Sequence, residues 1–210
     1  MAPNTLRNIM ILGALCGLAA CAPKIETQPV TAELPPAQPP SYAVGDTMVH
    51  LNKLTGVEET SRVVSASADI VEVVNETSGC RYAFKPGTYA PGLAWQNCQG
   101  YTGTRKLTGS EGSIYPMQVG ASVAWSAEGT DDKGNTWDGS QTCKVEGTAK
   151  VTTVAGTFDT YHVRCNTDSR VRNYYVDPAS GRNVITQSTH SGSGTGWHYE
   201  LLSYTSAATS

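Results

Sequence analysis

The chemistry in this chain of 210 residues is concentrated in its six cysteines. Cys21 ends the stretch "LCGLAAC", where small residues lead from an apolar run into a polar chain. A thiol in that setting has three uses: to pack, to react, or to leave with the run. Cys16 lies inside the apolar run and leaves with it if the run is removed. Cys80, Cys98, Cys143 and Cys165 belong to the part that folds, and an even number in an exported chain reads as two disulfides. Zinc is the rival use of four thiols. It requires C-x-x-C or H-x-x-x-H spacing, which the sequence lacks, and its four histidines are scattered.

The residues ahead of Cys21 have the parts of an export signal: Arg7, an apolar run from Ile9 to Ala20, then small residues. That run is short of the ~20 apolar residues a transmembrane helix needs. Leu18 to Cys21, "LAAC", resembles the lipobox of bacterial lipoproteins. The resemblance implies a signal peptide over 1–20, a diacylglyceryl thioether and an acylated amine on Cys21, and no cofactor. Two or three acyl chains anchor stably where one does not. Asp after the cysteine often retains such proteins in the inner membrane. The residue here is Ala22, which implies the periplasmic face of the outer membrane, or the outer face of the cell membrane in a Gram-positive host.

Other stretches carry weaker chemistry. "SGSGTG" (Ser191 to Gly196) lacks both the G-x-S-x-G spacing of a nucleophile elbow and a Walker lysine, and reads as a hairpin loop. "DDKGNTWDG" offers oxygens at Asp131, Asn135 and Asp138 without calcium-loop spacing, and reads as a turn. His162 and His198 fall on expected strands as solvent-facing residues. Carboxylate pairs for acid–base work are not identifiable before the fold is known. Without Arg7 the chain has 14 basic against 18 acidic side chains, a modest balance that does not suggest an electrostatic partner such as nucleic acid, where basic residues cluster. Arg170 and Arg172 are the densest basic spot and read as a solvated strand face. Trp95, Trp125, Trp137 and Trp197 read as filling for a small core; lining a cleft, they would suit sugars or lipids.

The elements that must position these residues are strands. From Ala22 to Ser41 six prolines predict an extended, disordered linker (21–41 with the lipidated cysteine). From Cys143 to Thr152 small or apolar residues alternate with polar ones, the mark of a half-buried strand. "FDTYHVRC" follows as its hairpin partner. Folding about position 154 sets Cys143 opposite Cys165, Val145 opposite Val163 and Gly147 opposite Tyr161. A tighter turn would pair odd with even residues and need a bulge. Register and cysteines together predict a Cys143–Cys165 disulfide, and Cys80–Cys98 follows by elimination. "ASVAWSA", "VRNYYVD", "RNVITQST" and "WHYELLSY" read as further strands, and beyond the leader no run of ten residues has helical periodicity. The expected fold is all-β, an antiparallel sandwich or open barrel.

Tyr42 to Gly56 echoes Tyr115 to Gly129, which suggests two similar β units, over 42–112 and 113–206. "YPMQVG", "VTTVAGTFDTYHV" and a Tyr-Tyr strand ending in Pro-Ala-Ser-Gly resemble uncharacterised bacterial periplasmic β-rich lipoproteins. That resemblance covers 113–205 and implies architecture, with no catalytic residues to carry over. The expectation is a non-enzymatic envelope lipoprotein, structural or binding, with an envelope protein or glycan as partner. A carrier of lipid or another hydrophobic ligand, and an exported hydrolase, are the alternatives.

Overall fold

A computed structural model describes residues 24–194 and 196–207. Cys21 and the rest of the leader lie outside the described residues. β1 is a two-residue strand, Thr27–Gln28. Six strands follow: β2 (Thr47–Asn52), β3 (Val57–Ala66), β4 (Val71–Asn75), β5 (Arg81–Phe84), β6 (Ala94–Cys98) and β7 (Tyr101–Ser113). The remaining six are β8 (Ser122–Asp131), β9 (Thr136–Thr153), β10 (Gly156–Thr167), β11 (Arg170–Val176), β12 (Asn183–His190) and β13 (Gly196–Thr205). From β2 to β13 each strand pairs antiparallel with its neighbour in sequence, and β13 pairs back onto β2. The result is a closed twelve-stranded antiparallel barrel with β1 added along β9. The all-β antiparallel expectation is met by the barrel alternative, and closure leaves none of these twelve strands as a free edge. The stretches expected as two units supply six strands each to this one sheet.

Period-two alternation decides what faces the lumen. Starting from buried Cys143 and Cys165, the register carries an inward set around the wall. It runs Val163–Tyr174–Thr186–Tyr199, then Leu201–His50–Glu59, and Ser61–Asn75. Val123, Trp125 and Ala127 on β8 continue it opposite Cys143, Gln141 and Gly139. One core cluster joins Val123, Cys143, Val145, Val163, Cys165 and Val176, all buried. A second joins Val63, Val71 and Val73.

Both predicted disulfides are present, Cys143–Cys165 and Cys80–Cys98. The hairpin register between β9 and β10 needs one correction. The turn is the tight one, with Thr153 opposite Gly156, so Tyr161 meets Thr148 and Gly147 meets His162 rather than Tyr161. A bulge on β9 between Val145 and Gly147 then restores Val145 to Val163 and Cys143 to Cys165. Gly156 takes a φ of +139°, which a residue with a side chain resists, and so makes the short turn accessible. The bulge also exchanges faces. Cys143 and Val145 enter the lumen core, while Ala149 and Val151 join Phe158, Tyr175, Val184 and Ile185 in a separate cluster on the outer face. The unbroken alternation in sequence therefore serves two cores.

The proline-rich segment is extended, as its composition requires, but from Lys24 onward it is not the disordered linker expected, because part of it docks on the barrel. Ala37 is fully buried and exchanges both backbone hydrogen bonds with Met117 (3.1 and 2.8 Å). The Tyr161 hydroxyl donates to the Leu34 and Pro35 carbonyls at 2.9 and 3.2 Å. Proline removes donors, and this inward tyrosine supplies one to carbonyls that would otherwise lack it.

Candidate functional site

The β5–β6 connection, 85–93, folds into the lumen. Lys85 to Thr88 makes a local turn, with the Thr88 hydroxyl donating to the Lys85 carbonyl at 2.9 Å. The turn presents Tyr89, which has a positive φ of 52°, sparsely populated for a residue with a side chain. Surrounding groups hold it there. Gln141 Nε2 donates to the Tyr89 carbonyl at 2.5 Å, and Trp125 Nε1 donates to the Thr88 carbonyl at 3.2 Å. The Tyr89 hydroxyl donates to Asn183 Oδ1 at 2.7 Å. Its ring packs edge-on against Tyr174, centroids 4.8 Å apart, and stacks on Tyr115 at 6.3 Å. Burial holds the Tyr89 phenol well above the ordinary tyrosine range, so it stays a neutral donor.

Two chambers flank this partition, sharing Ala90 and Tyr174 as walls. The larger, about 490 Å³, is bounded by inward residues of β2 to β5 and β11 to β13. Rings dominate one part of its wall: Tyr42, Tyr82, Phe84, Tyr115, Trp197 and Tyr199. Tyr82 stacks on Phe84 at 5.8 Å, yet 37% of its surface is uncovered because it borders open space inside the barrel. Burial raises its phenol above the ordinary range, and pushes that of Tyr115 up to about 12.

Polar groups occupy the rest of that wall. Glu59 Oε2 accepts from Asn75 Nδ2 at 2.7 Å, while Oε1 accepts from the Tyr199 hydroxyl at 3.1 Å and Asn52 Nδ2 at 3.4 Å. The carboxylate is thus pre-aimed, with one acceptor site remaining on Oε2. Burial and the Glu59 charge push Tyr199 up to about 12. His50 lies beside them, its imidazole lowered by burial and partly restored by Glu59. This arrangement offers oriented acceptors and neutral donors beside open ring faces. Glu59 is the one carboxylate in the wall of this chamber among the described residues.

The end of the chamber is closed by a polar knot. Arg182, buried, lies 3.4 Å above the Tyr204 ring and 5.0 Å from that of Tyr42, and donates to the Ser41 carbonyl at 2.7 Å. Asp46, 1% exposed, accepts from the Tyr204 hydroxyl at 2.5 Å and from the backbone of Ala43 and Ala207 at 2.9 and 3.0 Å. Desolvation pushes the Asp46 carboxyl upward, but these bonds and Arg182 outweigh it and hold it below the usual range. Gly181 lies so close to the Gln38 carbonyl that a Cβ would overlap it, and Pro40 and Tyr42 reach the chamber wall. The proline-rich segment is therefore part of the site.

The smaller chamber, about 390 Å³, is lined by Arg105, Trp137, Gln141, Arg170 and Arg172, with Asp138 and Asp168 at exposed positions. Trp95 and Trp137 lie over Gly103 and Gly129 of the facing strands, where a Cβ would overlap each ring.

The predicted site residues separate clearly. Cys143 and Cys165 are at the lumen core, whereas Cys80 and Cys98 tie β6 to the end of the β4–β5 turn. The tryptophans divide: Trp125 packs on the core, Trp197 lines the larger chamber and Trp137 the smaller. Asp131 spends its carboxylate on Lys133 and Asn135, which makes that stretch a turn. Two expectations are corrected. Arg170 and Arg172 line the smaller chamber rather than a solvated strand face, and His198 is buried on the outer face beside Glu200, the residue that Val154 at the tip of the β9–β10 hairpin reaches. His162 is half-buried, stacked on Tyr175. Glu59, Asn75, Tyr82, Tyr89 and Arg182 were not singled out by type or spacing; polar residues at inward strand positions look like a solvent face.

No protein-family model and no curated protein matches the chain. Among solved structures, the chain is similar to the hypothetical lipoprotein YmcC from Escherichia coli, with a TM-score of 0.46 and 10% identity, covering 75% of this chain and 83% of that one.

Proposed function

We propose that this protein is a lipid-anchored envelope barrel that binds, without transforming, a polyhydroxylated ligand of glycan type in its larger chamber. One observation carries the reading: open aromatic faces alternate there with hydrogen-bonding groups already held in place. Sugar C–H faces stack on rings such as Tyr82, and hydroxyls pair with an ordered carboxylate and amides. A volume of about 490 Å³ suits a small ligand. An acyl chain would instead need a continuous apolar wall, and Glu59, Asn75, Arg182 and Asn183 interrupt this one. Glycoside hydrolysis by paired carboxylates would need a second acid near Glu59.

The anchor rests on "LAAC" and on Ala22, which favour Cys21 as the acylated residue and the outer membrane's periplasmic face as its location. The test is to incubate the purified full chain with envelope oligosaccharides and analyse both bound and free sugars. Recovery of bound, unaltered sugar is expected. Products that vanish with Glu59→Gln would replace this reading with a hydrolase. Palmitate labelling that does not depend on Cys21 would remove the anchor.

A further inference from the structure

The smaller chamber contains a charge arrangement that the larger one does not explain. The register places Arg105 of β7 and Arg172 of β11 on the lumen side, opposite Gly129 and Cys165. Both are half-buried and both line the chamber. Arg105 donates to the Gly92 carbonyl at 2.7 Å and lies 5.3 Å from the Trp95 ring. Arg172 donates to Gln141 Oε1 at 2.8 Å. These partners are neutral. Among the described residues neither guanidinium has a carboxylate within 4.0 Å. Asp138 and Asp168 line the same chamber but stay exposed at its rim.

Like charges brought to one cavity wall repel each other, with Arg170 adding a third guanidinium, and an anion entering between them relieves that repulsion. Desolvation lowers the proton affinity of Arg105, and the Arg172 charge lowers it further, so the two sense each other. A guanidinium has five N–H donors, and each of these has one recorded acceptor. The remaining forks match the planar oxygens of a carboxylate or the face of a phosphate. We propose that the smaller chamber is a binding site for a compact oxyanion, a carboxylate or phosphate group, held between Arg105 and Arg172. Trp137 and Gln141 complete its wall. The site does not depend on what occupies the larger chamber.

The full chain in neutral detergent is titrated with inorganic phosphate or acetate, against chloride at matched ionic strength. Tryptophan fluorescence is followed, since Trp95 and Trp137 adjoin the site, together with the melting temperature. Saturable fluorescence change and a rise in melting temperature are expected with phosphate or acetate, and the tighter of the two identifies the preferred group. Arg105→Gln and Arg172→Gln should each weaken binding about tenfold, the loss of one charge-assisted contact. Asp168→Asn, on an exposed rim position, should strengthen it and does not threaten folding. Either of two results would overturn the site: no saturable response beyond chloride, or an affinity unchanged by all three substitutions.

Discussion

Tyr89→Ala and Tyr89→Phe test whether the β5–β6 connection really partitions the lumen. The phenylalanine variant removes one hydrogen bond, 2.7 Å to Asn183, and leaves that amide oxygen beside a chamber where water can reach it. The net loss should be about 1 kcal/mol. The alanine variant also removes a ring packed on Tyr174 and Tyr115. Full truncation of a buried aromatic costs about 3–5 kcal/mol, and a ring that partly faces cavities belongs below that range, at about 2–3 kcal/mol. With ~2–4 °C per kcal/mol for a chain of this size, Tyr89→Phe should melt about 2–4 °C lower and Tyr89→Ala about 4–12 °C lower. Tyr89→Ala should also merge the chambers of about 490 and 390 Å³, so that a ligand of one perturbs tryptophans of the other. Differential scanning calorimetry with ligand-dependent fluorescence reads both effects. A Tyr89→Ala protein that melts with the wild type would refute the docked partition.

Three further outcomes follow from the same geometry. A mild reductant under native conditions should open Cys80–Cys98 well before Cys143–Cys165, whose two cysteines are fully buried; alkylation mapping that found both opening together would contradict the core placement. Replacing both Cys143 and Cys165 with alanine should cost about 3 kcal/mol by the chain-entropy model for a separation of 22 residues, read by urea denaturation. Stability should fall as pH drops below the ordinary histidine value of 6.5, because burial holds His50 and His198 below it and the unfolded chain binds those protons first. Asp46, held low, adds a loss in the same direction at more acidic pH. His198→Leu should flatten the slope near neutrality, since both ring nitrogens are buried without a hydrogen bond; an unchanged slope would remove His198 from the account.

Much of the wall was legible in the sequence, and the reasons are local. The cysteines and the alternation from Cys143 to Thr152 marked a hairpin and its disulfide, because a half-buried strand shows its period directly. The bulge near Glu146 left no trace, since both the lumen core and the outer cluster accept apolar residues and the alternation never breaks. The pairing of β13 with β2 joins residues about as far apart as the chain allows, and no local pattern encodes it. Arg172 read as solvent-facing, and Glu59, Asn75 and Arg105 gave no signal, because polarity reports contact with water and a hydrated lumen is also water. His198 was misplaced for the opposite reason: it is buried on a stretch of outer wall where the β9–β10 hairpin tip reaches the neighbouring Glu200, a packing made only in three dimensions. The prolines between Ala22 and Ser41 prescribed an extended backbone, but docking against Met117 and Tyr161 depends on the barrel being there.

The most direct test of the central claim is isothermal titration of the full chain with purified envelope oligosaccharides, and separately with palmitate, repeated on Tyr82→Ala. Tyr82 borders the larger chamber with 37% of its surface uncovered, so the substitution removes a ligand platform, and losing its stacking on Phe84 should cost about 1–2 kcal/mol. The account predicts saturable oligosaccharide binding that weakens by about tenfold or more in Tyr82→Ala, with melting temperature lowered by about 2–8 °C and no comparable uptake of palmitate. Palmitate binding that depends on Tyr82, with no response to any oligosaccharide, would contradict it and make the barrel a carrier of apolar ligands.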